Sequence, residues 1–137
     1  MKQKMTIAEL ENFLQREFPQ VGSQYRIKSF ENATMVVEME AKNRHLRPGG
    51  TVSGPTLFSL ADVAVYLIVL AHIGPKALAV TTNCSIDFMR RPSPGILLAK
   101  TKLLKLGRRL AVGDVLIYSE GQENPVVRAN LTYSLPG

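Results

Sequence analysis

The chain has 137 residues, 45% of them apolar and 20% charged, with a net charge of +6. That length suits one domain, read as spanning 1–137, whose core needs neither disulfide nor metal, and the composition excludes intrinsic disorder. The basic excess points to an anionic partner such as a phosphorylated ligand. Lys and Arg are scattered and aromatics reach only 7%, so neither nucleic acid nor a membrane surface is expected as a partner.

Near the start, Lys2 and Lys4 precede no apolar run, because Glu9, Glu11 and Arg16 interrupt it; a secretory signal is not expected. Thr6 and Glu9 form a capping box, and Ile7, Leu10, Phe13, Leu14 and Phe18 mark one face of a helix that Pro19 and Gly22 end. From 34 to 41 the residues alternate, with Met35, Val37, Met39 and Ala41 on one side, which predicts a strand with one buried face. A loop at 44–50 carries Pro48, Gly49 and Gly50. A second helix follows, capped by Ser53 or Gly54, with Pro55 near its first position and Gly74-Pro75 at its end.

Residues 57–73 of that helix are almost wholly apolar, just short of a membrane span of about 20 residues. A soluble helix buried in the core is the expectation. Four strand-like runs come next, at 78–89, 96–106, 109–119 and 126–134. Their short connections predict an antiparallel meander, and the all-round apolar helix implies a sheet wrapped around it. Cys84 is the only cysteine, which rules out an intrachain disulfide and suits a reducing cytoplasm.

Asp62 stands alone in the apolar helix. A carboxylate there costs several kcal/mol unless it is paired. A structural role would give it a partner such as Ser59, Tyr66 or a neighbouring subunit. A chemical role would make it a base or nucleophile. Gly54, at the helix start, offers an unpaired N–H at the positive end of the dipole, which suits an oxyanion; Pro55 has no N–H to offer. Gly54 and Asp62 are eight residues apart, roughly 12 Å along a helix at about 1.5 Å per residue. One helix cannot bring both to a single carbonyl, whereas two antiparallel copies can, so a homodimer or homotetramer with shared sites is expected.

The arrangement resembles the hot-dog fold, an α+β architecture in which an antiparallel sheet wraps a long central helix. In detail it is similar to the acyl-CoA thioesterases of the phenylacetate-degradation type. Ser53-Gly54-Pro55 with Asp62 stands where the family has His-Gly-Gly and an Asp nine residues after the His. Phe88 to Pro92, Gly107-Arg108-Arg109-Leu110 and Asn130 to Tyr133 also fit, so the resemblance runs from about Met35 to Tyr133. Ser53 replaces the family's His, Pro55 its second Gly, and Arg47 an Asn six residues before the His.

The resemblance implies hydrolysis of an acyl-CoA thioester, with Asp62 as general base or nucleophile and the Gly54 N–H as oxyanion donor. It also implies that Thr81 is the hydroxyl residue that holds the attacking water. Substrate contacts are expected from Arg47 and Ser53, which occupy motif positions. Arg90, Arg91, Arg108 and Arg109, at strand ends, suit the phosphates of coenzyme A through bidentate guanidinium contacts. No cofactor is called for, and no His, Cys or carboxylate pair has metal-ligand spacing. Two other classes stay in view: an acyl-CoA-binding regulator or carrier without turnover, and a hydratase or dehydratase. The second normally pairs His with Asp or Glu on the central helix, and no His lies within two turns of Asp62.

Overall fold

Thr6 opens the first helix, α1 (Ile7–Glu17), in a computed structural model that describes residues 2–136. Its hydroxyl accepts the Glu9 N–H at 3.2 Å, while the Glu9 carboxylate accepts the Thr6 N–H at 2.9 Å. Leu10, Phe13 and Leu14 are buried, but Phe18, at the helix end, is 40% exposed. The chain then turns back tightly at Gly22, where a Cβ would lie 2.7 Å from the Leu14 carbonyl oxygen and 2.7 Å from the Gln15 Cα.

A strand not expected from the sequence follows, β1 (Tyr25–Glu31). Its register with the next strand slips between Ile27 and Ser29, and that bulge breaks the alternation by which a half-buried strand is recognised. The next strand, β2 (Thr34–Ala41), alternates as expected: Met35, Val37, Met39 and Ala41 are all buried.

The long helix α2 runs Gly54–Ile73, a turn earlier than the apolar run alone suggests, and ends at Gly74 with φ 92°. By length and composition it could cross a membrane. Here it is buried by protein instead, from Ala64 to His72 and at Leu57, Leu60 and Ala61. Asp62 and Val63 interrupt this and are only half-buried. The helix packs closely on the sheet at Gly113, where a Cβ would lie 3.0 Å from Val65. His72 is buried near the helix end, its Nδ1 2.7 Å from the Ile68 carbonyl oxygen and its ring edge-on to Phe30.

Four further strands complete an antiparallel sheet: β3 (Val80–Phe88), β4 (Gly95–Leu106), β5 (Leu110–Ser119) and β6 (Val127–Ser134). The order across the sheet is β1-β2-β4-β5-β6-β3. The expected four-strand meander therefore needs correction. Only β4, β5 and β6 form one; β3 pairs with β6 and β4 pairs with β2. The segment 89–94 carries the chain from the β3 edge, past β6 and β5, to β4 in the interior of the sheet. An antiparallel sheet wrapped around one long helix is the hot-dog architecture.

The Gly22 turn gives a stability prediction. Gly22→Ala forces a methyl group against backbone atoms, an overpacking that costs roughly 1–3 kcal/mol. Denaturant unfolding is expected to show a lower midpoint at unchanged slope; an unaltered midpoint would mean that the turn relaxes freely.

Candidate active site

The start of α2 is held from three sides. The Ser53 hydroxyl accepts the Thr56 N–H at 3.3 Å and lies 2.8 Å from the Thr56 hydroxyl. The Ser53 N–H donates to the His45 carbonyl at 2.8 Å, and the Val52 N–H to the Pro92 carbonyl at 2.9 Å. Ser53 thus acts as the helix cap. The Gly54 N–H has no acceptor among the described residues, and Gly54 lines a cleft of about 500 Å³ whose walls include Arg47, Phe88, Arg90 and Arg91. A helix start with a free N–H and three nearby guanidinium groups favours an anion or a polarised oxygen.

Asp62 lies two turns further on. Its Oδ1 accepts the Thr81 hydroxyl at 2.6 Å and the Tyr133 phenol at 2.7 Å, and the same phenol lies 3.0 Å from the Asp62 carbonyl oxygen. Neither Ser59 nor Tyr66 is a partner, since the Tyr66 hydroxyl donates to the Ala77 carbonyl. Thr81 and Tyr133 sit side by side in the β3–β6 ladder. A register slip just after Thr81 leaves Thr81 half-buried and Thr82 exposed.

Two clefts meet at Asp62. One, of about 410 Å³, is walled mainly by apolar and aromatic side chains: Leu14, Phe18, Val21, Tyr66 and Ala79. The other, of about 310 Å³, has the polar groups of Gln24, His45, Thr56 and Ser59. Tyr25 lines both.

The electrostatics favour neutral donors around a charged carboxylate. Burial, then the Asp62 charge, push the Tyr133 phenol far up, and the same two causes raise Tyr25. Burial and then Glu17 push Tyr66 up to about 12. All three stay protonated near neutrality. Burial, followed by Asp62, also raises the Cys84 thiol, opposite to what a thiolate nucleophile requires.

His45 is structural in its bonding, yet it borders the polar cleft. Its Nδ1 accepts the Lys42 N–H at 2.9 Å, so its proton sits on Nε2, 2.9 Å from the Gln24 side-chain oxygen. Burial and then the Arg44 and Lys42 charges hold it below the usual histidine range. Among the described residues, no three His, Cys, Asp or Glu side chains gather as metal ligands would.

Of the residues singled out in the sequence, the structure brings Thr81 to Asp62, and Arg47, Arg90 and Arg91 to Gly54. Arg90 also ties down the chain, donating to the Pro125 carbonyl at 2.6 Å. Arg108 and Arg109 lie in the β4–β5 turn, at the other end of β4 from Arg91, on the order of 35 Å along the strand. Within one protomer the four arginines form two separate pairs. Sequence reasoning gave no role to Tyr133, although its inward place beside Leu131 and Ala129 on the last strand was a signal that its hydroxyl needs a partner.

The thioesterase superfamily model matches residues 49–126. A protein of Silicibacter sp. TM1040, provisionally described as a thioesterase, is 51% identical; its structure has a TM-score of 0.92 and the match covers 100% of this chain and 96% of that one. The phenylacetic acid degradation protein PaaI of Thermus thermophilus is 27% identical, with a TM-score of 0.73 over 86% of this chain and 99% of its own. A hypothetical thioesterase of Streptococcus pneumoniae, solved with coenzyme A, is also 27% identical, with a TM-score of 0.72 over 82% and 89%. No curated protein matches the chain. With the fold, the free N–H at the helix start and a carboxylate held at the mouth of an apolar cleft, the match over more than half the sequence shows that the chain belongs to the thioesterase superfamily.

Proposed function

We propose that the protein hydrolyses acyl-CoA thioesters, with Asp62 as the catalytic carboxylate. The observation that carries this is the Asp62 carboxylate itself, bonded by Thr81 and Tyr133 where an apolar and a polar cleft meet. The acyl group occupies the apolar cleft. Asp62 takes a proton from water as the water attacks the thioester carbonyl, or attacks that carbon itself and forms an anhydride that water then opens. The Gly54 N–H stabilises the oxyanion, and the thiol of coenzyme A leaves. The pneumococcal relative with bound coenzyme A and the arginines beside Gly54 support a nucleotide-bearing thioester.

The complete site needs two subunits in this proposal, and β3 suggests how they meet. β3 is an edge strand that pairs, among the described residues, with β6 alone, and Leu78, Val80, Phe88 and Met89 on and beside it are exposed apolar side chains. Phe88 packs near Gly54, where a Cβ would lie 3.7 Å from its ring, and Thr81 bonds Asp62. Antiparallel pairing of β3 with its copy, about a two-fold between Cys84 and Ser85, would set the partner subunit's Phe88 opposite Thr81. The partner's Gly54 would thereby approach Asp62. The second reading, a binder without turnover, is favoured by one feature: Ser53 stands where thioesterases of the phenylacetate-degradation type carry His.

Three outcomes are expected. Asp62→Asn keeps an oxygen acceptor for Thr81 and Tyr133 but cannot act as a base. Thiol release from acyl-CoA should fall by about 10²–10⁴-fold, with thermal unfolding close to that of the parent; a variant that hydrolyses at the parent rate would clear Asp62 of catalysis.

Removing Arg90 and Arg91 together, or Arg108 and Arg109 together, should raise KM for coenzyme A esters and change kcat less, the pattern of lost uniform binding. A short thioester without the nucleotide should be insensitive to either change. Equal losses on both substrates would argue against phosphate contacts.

Gly54→Pro removes the N–H while suiting the extended Ser53 before it, at ψ 152°. Alone it should inactivate, as should Asp62→Asn. Mixed subunits of the two should regain activity, because some heterodimers hold one intact site. No recovery despite proven subunit exchange would count against the shared site.

A further inference from the structure

The two donors that meet Asp62 both address the same oxygen. Thr81 Oγ1 is 2.6 Å and the Tyr133 hydroxyl 2.7 Å from Oδ1, while Oδ2 accepts no bond among the described residues. A carboxylate oxygen with two charge-assisted donors has most of its lone-pair capacity engaged. The other oxygen keeps its full capacity, on a side chain whose residue lines both clefts. We infer that Tyr133 and Thr81 form a clamp that assigns the two oxygens of Asp62 different tasks: Oδ1 anchors the side chain and Oδ2 alone takes the proton or attacks the carbonyl. This rests on the catalytic reading of Asp62.

The clamp is built from rigid parts. Thr81 and Tyr133 are cross-strand neighbours, so the spacing of their hydroxyls is set by the β3–β6 ladder. Tyr133 is 2% exposed, and its ring lies 6.0 Å from that of Tyr66, which limits its movement. Its hydroxyl also lies 3.0 Å from the Asp62 carbonyl oxygen, so it registers the helix backbone as well as the side chain. Turning the carboxylate about its last bond would break both short bonds at once. Burial and the neighbouring charge keep the phenol protonated, so the donor does not fail near neutral pH.

The hydroxyl proton of Thr81, given to Oδ1, is not available to a water molecule. Thr81 can still accept a bond from that water through its lone pairs, which places the water's oxygen beside Asp62. Tyr133 is therefore a positioning residue, acting through Asp62, and Thr81 is one as well.

The test compares Tyr133→Phe, Thr81→Val, Thr81→Ser and Asp62→Asn by kcat and KM for thiol release and by thermal unfolding. Tyr133→Phe keeps the ring and removes only the donor. Its kcat is expected to fall on the order of ten- to a hundredfold, the scale of a small misplacement of a catalytic group, with KM within about threefold of the parent. Thr81→Val should lose kcat similarly, and Thr81→Ser, which restores the hydroxyl, should recover most of it. If Tyr133→Phe does not fold, the Val and Ser pair at position 81 decides the matter by the same split. An unchanged kcat in Tyr133→Phe and Thr81→Val, alongside an inactive Asp62→Asn, would overturn the clamp and leave Asp62 catalytic. A fully active Asp62→Asn, or a parent without turnover, would remove the catalytic reading and the clamp with it.

Discussion

A negative charge set in an otherwise apolar helix is the constraint around which this molecule is organised. The flanking turns of α2 are buried at Leu57, Leu60 and Ala61 and again from Ala64 to His72, and an unpaired carboxylate in that company would be strongly destabilising. Two charge-assisted hydrogen bonds, each worth about 1.5–3 kcal/mol, offset that at Asp62. Both donors come from strands, so the carboxylate is tied to β3 and β6 as well as to its own helix. The opening between α1, β1 and the helix gives it the remaining solvation. What binds the helix to the sheet at this point is also what presents an oxygen to a ligand.

The rest of the architecture serves that arrangement. The Gly22 turn brings Leu14, Phe18 and Val21 over the apolar cleft, and the three tyrosines near Asp62 are held neutral by burial. At the start of α2, Ser53 caps the helix and leaves the Gly54 N–H without an acceptor among the described residues. The two functional features sit at different depths along one helix, with the edge strand β3 running past both. That geometry is why the proposal calls on two subunits, and why the exposed apolar residues on β3 matter.

Much of this was legible in the sequence because it depends on local signals. The capping box at Thr6, the alternation at Met35 to Ala41 and the largely apolar run at 57–73 each report their own structure. Asp62 stood out because it is the one charged residue in an otherwise largely apolar helical run. β1 was hidden by its bulge, and the pairing of β3 with β6 is a long-range choice that no local pattern records. Tyr133 escaped notice for the same reason: its partner is 71 residues away. The arginines looked like one group because all four flank strand ends, yet a twelve-residue strand separates the two pairs.

The central claim, that this site breaks thioesters rather than merely holding them, is tested most directly by following free thiol while the unmodified protein meets a series of acyl-CoA esters of increasing tail size. The account predicts saturable, catalytic thiol release that is strongest for tails filling a cleft of about 410 Å³ and weaker for tails too long for it. Saturable binding of the same esters with no thiol released would contradict it and identify the protein as a carrier or sensor of acyl-CoA.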